Sequence, residues 1–193
     1  MLIQGLKVAV IIADGFERDH FFGPVEGLRA NGAVVDILAE SEDKLQAGIQ
    51  SLNFLTLTER VKPQRTILNA TPEEYDGLLI PGGAISCDQM RHSILHLGFV
   101  KHFMDMNKPL AAIGHGLTLL ADAEVLHGKT VTSSISIKKN LERAGAIWID
   151  REVMMDGNLT TSRRAEDVSV FTRSFIELLS QMPQVSSRGK NAA

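Results

Sequence analysis

Only one cysteine, Cys87, stands among 193 residues, so neither an internal disulfide nor a CxxC metal or redox motif can form. That usage fits a reducing compartment. No apolar run approaches the ~18 residues that a membrane span requires. The opening Met1-Leu2-Ile3-Gln4-Gly5-Leu6-Lys7 lacks a basic region followed by a hydrophobic segment and a cleavage site, so a cytoplasmic location is expected. Charge excess is missing too. A net charge of −3 supplies no basic surface for nucleic acid or an anionic membrane, and neither is expected as a partner. Neither GxGxxG nor GxxxxGK occurs, which leaves nucleotide binding without a motif and predicts no cofactor. There is no internal repeat.

What remains is an ordinary globular composition, 44% hydrophobic and 22% charged, long enough to bury one core without disulfides. A single domain over residues 1–182 is expected. Residues 183–193, from Pro183 through Ser186-Ser187-Arg188-Gly189-Lys190-Asn191-Ala192-Ala193, read as a disordered tail.

Lys7 to Ala13 is an unalternated, β-branched run of the kind found in a parallel strand buried on both faces, and Asp14-Gly15 ends it. Phe21, Val25 and Leu28 then recur at helical spacing from about Arg18 to Asn31, with Gly32 at the helix end. Val34 to Ala39 is a second strand, completing a βαβ unit with a right-handed crossover. Ile49 to Thr58 suits a small hairpin or an edge strand. Tyr75 to Ile80 is a strand running into Pro81-Gly82-Gly83, and a helix is expected somewhere in Cys87 to Met106.

Lys108 to Leu120 reads as a buried strand, a glycine-flanked corner and a helix, the architecture of a nucleophile elbow. The corner falls on Gly114, which offers backbone amides for an oxyanion but no nucleophile. Beyond it, a strand at Thr130 to Ser133, a helix from Ile137 to Ala144, two strands at Trp148 to Met155 and Leu159 to Ser162 joined by an Asp-Gly turn, and a closing helix from Ala165 to Met182 are predicted. The alternation makes a three-layer α/β sandwich with a mostly parallel sheet, in which ligands collect at the carboxyl ends of the strands. The loops 14–18, 82–86 and 114–116 should converge there.

Those loops carry a resemblance. Ala13-Asp14-Gly15-Phe16-Glu17, Asp76-Gly77-Leu78-Leu79-Ile80-Pro81-Gly82-Gly83 and Ala112-Ile113-Gly114-His115-Gly116 together resemble the ThiJ/PfpI family of the class I glutamine amidotransferase-like superfamily. The likeness runs on through Val125-Leu126-His127-Gly128-Lys129, Ala144 to Asp150, Val153 to Leu159 and Thr161-Ser162-Arg163. It implies a flavodoxin-like sandwich and a homodimer or higher homo-oligomer, in a family whose members include peptidases, glyoxalases or deglycases, chaperones and redox sensors. The family's reactive cysteine would fall on Gly114, its acidic partner on Glu17 and the following histidine on His115. The oxyanion pocket would be built at Gly82 and Gly83 with the His115 amide. A residue from a neighbouring subunit is thought to complete the peptidase-like site. Leu117 stands where that branch commonly has proline.

Each residue also has a plainer reading. Glu17 suits the start of a helix as well as a site. His115, with no thiol beside it, suits a hydrogen-bonded pocket residue. Cys87, near a helix start, suits an ordinary small side chain rather than a displaced redox thiol. His92 and His96 are four apart on an expected helix and lack a third ligand, so a solvated face is favoured and no metal site is expected. Gly114 marks natural loss of the nucleophile or a deliberate replacement. The expectation is therefore a family member without the elbow cysteine, non-catalytic, binding a small molecule or partner through its pocket. The alternative is a hydrolase, peptidase or glyoxalase/deglycase-like enzyme using Glu17 and His115, or an inactivated form of a cysteine-dependent one.

Overall fold

The computed structural model describes residues 2–181. The expected tail, and the end of the closing helix at Met182, lie outside that range. In chain order the strands are β1 (Lys7–Ile11), β2 (Phe16–Glu17), β3 (Val34–Ala39), β4 (Ile49–Asn53), β5 (Thr56–Val61), β6 (Arg65–Thr66), β7 (Gly77–Ile80), β8 (Leu110–Ile113), β9 (Thr130–Val131), β10 (Ile147–Trp148), β11 (Val153–Asp156) and β12 (Leu159–Ser162). The α-helices are α1 (Arg18–Ala30), α2 (Asp43–Ala47), α3 (Ala84–Met90), α4 (Ile94–Asp105), α5 (Leu117–Asp122), α6 (Lys138–Arg143) and α7 (Val168–Ser180).

A seven-stranded sheet, β11-β12-β8-β7-β1-β3-β6, forms the middle layer. All its pairs are parallel except β11 with β12. The unalternated strands follow from burial on both faces. In β1, Ala9 and Ile11 belong to one core while Val8 and Val10 belong to the other. The same alternation puts Leu78 and Ile80 of β7 on the first side and Leu79 on the second, and divides Ala112 from Ala111 and Ile113 in β8. Phe99, Val100 and Phe103 of α4 and Leu119 and Leu120 of α5 close the first core. Phe21, Val25 and Leu28 of α1 with Phe171, Phe175 and Leu179 of α7 close the second. This is the flavodoxin-like, three-layer arrangement with helices on both faces that the sequence predicts.

Several local expectations are corrected. The stretch from Trp148 to Met155 is not one strand. β10 pairs in parallel with β9 in a small separate sheet, and β11 rejoins the main sheet after a crossing held by Thr132, whose hydroxyl donates to the Arg151 carbonyl at 2.9 Å. The expected helix in 87–106 is two, starting earlier at Ala84 and broken around His92 and Ser93. The stretch at 49–58 does form a hairpin, β4 with β5, and β2 joins it in a three-stranded sheet of its own. The helices α6 and α7 are each entered through a short 3₁₀ turn, at Ile135–Ile137 and Ala165–Asp167. Among the described residues no helix is long and apolar enough to cross a membrane.

Phe171 is fully buried between α7 and the sheet. Phe171→Ala should cost about 3–5 kcal/mol, the range for deleting a buried aromatic side chain. Urea denaturation checks it, and a loss below ~1 kcal/mol would show that the second core is not organised around this helix.

Candidate functional site

Three loops leave the carboxyl ends of β1, β7 and β8, and they meet through close backbone approach and through side chains of α3, where Ser86 Oγ accepts from the Ala13 amide at 2.9 Å and Gln89 Nε2 donates to the Asp14 carbonyl at 2.8 Å. The Glu17 amide donates to the Gly82 carbonyl at 2.9 Å. Gly83 has φ +119°, and a Cβ there would lie 2.6 Å from the Gly15 carbonyl oxygen and 2.7 Å from the Glu17 nitrogen. A side chain at 83 is therefore excluded twice, by conformation and by space. A Cβ on Gly116 would lie 2.7 Å from the Ile80 carbonyl, so the turn after β8 is pressed onto β7.

Gly114, the first residue after β8, has φ +62°. This is the left-handed conformation of a sharp strand-to-helix corner, which costs a residue with a Cβ on the order of 1 kcal/mol or more. A single 3₁₀ turn, Gly114–Gly116, then leads into α5.

The side chain nearest this corner is not that of Glu17. Its carboxylate turns to the hairpin and accepts from the Phe54 amide at 3.2 Å. Burial raises the Glu17 pKa, the Phe54 hydrogen bond partly offsets this, and the charge of Asp19 adds to the rise. Instead, His20 from the first turn of α1 lies against Gly114. A Cβ on Gly114 would sit 3.0 Å from its Cε1 and 3.4 Å from its Nδ1, and one on Gly82 would collide with Nδ1. His20 is only 8% exposed, and its Nδ1 is buried with no hydrogen-bond partner. Burial drives its pKa down to about 4. Asp19, Glu166 and Asp167 oppose that shift and His115 reinforces it, so the ring is neutral at ordinary pH. The sequence held one signal for it. His20, Pro24 and Leu28 are spaced by four on the buried stripe of α1.

His115 points elsewhere. Its Nε2 meets the Ser136 hydroxyl at 3.1 Å, its carbonyl accepts from the Thr118 hydroxyl at 2.8 Å, and burial lowers its pKa. It borders a cavity of about 360 Å³ beside the start of α3, where Ala84, Ile85 and Ile137 supply apolar wall and Arg91, Thr118 and Asn140 supply polar groups. Cys87 reaches this cavity but is only 1% exposed, and burial pushes its thiol up to about 12. Desolvation outweighs the opposing charge of Arg91, and the thiol stays protonated at neutral pH. The structure thus gathers Glu17, Gly82, Gly83, Gly114 and His115 at one edge of the sheet, while giving the carboxylate and the imidazole different partners.

The histidine pair of the sequence separates. His92 is exposed in the break between α3 and α4, whereas His96 is buried in α4 with both ring nitrogens unpartnered. A solvated face describes His92 alone. Burial lowers the His96 pKa to about 4. Among the described residues no group of three or more His, Cys, Asp or Glu side chains could hold a metal ion.

The model of the DJ-1/PfpI family matches residues 6–178. An uncharacterized protein of Staphylococcus epidermidis is 35% identical over 175 residues, spanning 90% of this chain and 97% of its own length. One from Archaeoglobus fulgidus is 34% identical over 174 residues, at 90% and 98%. Among solved structures, a two-domain protein from Anabaena variabilis with DJ-1/ThiJ/PfpI-like and ferritin-like domains superposes with TM-score 0.83 and 30% identity. The match covers 97% of this chain and 52% of that one. Drosophila melanogaster DJ-1β gives TM-score 0.80 at 24% identity, covering 92% and 91%, a likeness of fold.

Two buried neutral histidines make stability sensitive to acid. In the unfolded chain each takes up a proton near its ordinary pKa, while the folded chain resists until about 4. Stability is therefore complete above about pH 6.5 and falls as pH drops toward 4, by about 2 kcal/mol per histidine at pH 5. Denaturation at pH 7.5 and pH 5 should show this loss, and His96→Leu and His20→Asn should each flatten it by about that amount. An unchanged pH dependence in both variants would refute the assignment.

Proposed function

The chain belongs to the DJ-1/PfpI family, and from that premise we propose that it is a member without covalent cysteine chemistry, which binds a small molecule at the elbow edge of its sheet. One observation carries this reading: the corner that follows β8, where the resemblance puts the family's reactive cysteine, is Gly114 in a left-handed conformation. No other thiol takes over, because Cys87 is buried and protonated. The roles of Glu17, Gly82, Gly83 and His115 as pocket residues belong to the same proposal. Their placement at the carboxyl ends of parallel strands supports it, since α/β sheets bind ligands there.

The cavity beside His115 falls in the size range of small-molecule sites and combines apolar wall with a few polar groups. Arg91, paired with Asp122, and Asn140 line it together with Asp88, a set of polar groups that suits a small carbonyl or carboxylate compound engaging Arg91 and Asn140. A thermal-shift screen of small aldehydes and carboxylates should find a binder that raises the melting temperature. Asn140→Ala should weaken that binder at least roughly fivefold, the scale of one lost hydrogen bond. A binder indifferent to Asn140→Ala and to His115→Ala would move the site away from this cavity.

A homodimer or higher homo-oligomer in the cytoplasm is the second part of the proposal. Phe54, Leu55 and Leu57 of the β4–β5 hairpin are 81%, 78% and 70% exposed. An apolar patch of that kind suits burial against another copy of the chain. Sedimentation at micromolar concentration should show the oligomer, and Leu55→Asp should dissociate it. A wild-type monomer under the same conditions would end this part of the reading.

A further inference from the structure

Gly114 is not simply an empty corner. The position that its side chain would take is met by a ring from another element, His20 of α1. A Cβ on Gly114 would press on His20 Cε1 at 3.0 Å, closer than such atoms ordinarily approach, with the Arg163 carbonyl oxygen behind it at 3.4 Å. Gly82 on the neighbouring strand end is bound by the same ring, because a Cβ there would collide with Nδ1. The wedge has a cost that calls for an explanation. Nδ1 is buried and finds no hydrogen-bond partner, a loss that a free surface histidine would avoid.

We propose that His20 is the specificity-determining residue of the elbow: its imidazole stands in the volume into which a side chain at position 114 would grow, and reserves the site for ligands held without a covalent bond to the protein. The three positions form one unit. Glycine at 82 makes room for Nδ1, glycine at 114 makes room for Cε1, and the ring in turn crowds any side chain at the corner that would present a nucleophilic atom to the strand ends. The inference rests on the non-covalent reading above, but its test uses no ligand. A failed ligand screen leaves it standing, and its own failure leaves ligand binding open.

The test restores a thiol and asks whether the ring shields it. In a Cys87→Ala background, Gly114→Cys is alkylated with iodoacetamide across pH up to the plateau where the thiol is fully ionised. At the plateau the rate reads access rather than acidity. His20→Ala added to Gly114→Cys should raise the plateau rate at least roughly tenfold; equal plateau rates would overturn the proposal. A thermal cycle gives an independent reading. Gly114→Ala should lower the melting temperature of the wild type more than that of His20→Ala, the remainder reflecting the left-handed backbone, and strictly additive shifts would overturn it. Should His20→Ala fail to fold, the proton on His20 Cε1 followed by NMR in Gly114→Ala alone decides the matter, since a ring in contact must move and its resonance must shift. An unchanged resonance would again reject the wedge.

Discussion

Burial of the central strands on both faces is the constraint from which the rest of the structure follows. A strand with water on one side can place polar residues there, but β1, β7 and β8 have cores on both sides and no such outlet. Their polar groups are confined to the ends, where the chain leaves the sheet. The candidate site is at the carboxyl edge because the chain's freedom to vary is there.

At that edge a second constraint takes over, the close approach of backbone to backbone. The loop after β7 lies against the loop after β1 at Gly83, and the turn after β8 is seated on the end of β7 at Gly116. This close approach, together with the hydrogen bond from the Ala13 amide to Ser86 Oγ, keeps the loops in register and leaves little room for a substituent. His20 is inserted between two of the loops, and it is tolerated because the positions beside it, 82 and 114, are glycines. Its neutral, desolvated ring follows from the same packing. Packing and electrostatics at the elbow are thus two consequences of one arrangement.

The same balance separates the reactive-looking residues from the available ones. Cys87 follows closely on a glycine loop, a placement that favours a thiolate, yet the core around it imposes a larger penalty on the charge. Glu17 sits one residue before α1, and its carboxylate is engaged by the hairpin across from it. His115 has a hydroxyl partner and borders a cavity. Membership in the DJ-1/PfpI family fixes the scaffold on which these groups stand, while the chemistry depends on which of them the packing leaves accessible.

By itself the sequence determined the layered fold, the order of the main strands and the converging loops, because hydrophobic runs without alternation and glycines at strand ends are local signals. It also located Gly114 as a corner without a side chain. It could not divide Trp148 to Met155 into strands of two different sheets, because both halves have strand-like composition and only pairing with β9 and β12 distinguishes them. It also pointed to Glu17 as the partner of the corner and passed over His20, whose ring lies against Gly114. The two are three residues apart at the start of one helix, and their directions were set by the hairpin and by the gap between Gly82 and Gly114. Residues distant in sequence create that gap, so its occupant is decided only when the sheet closes around it.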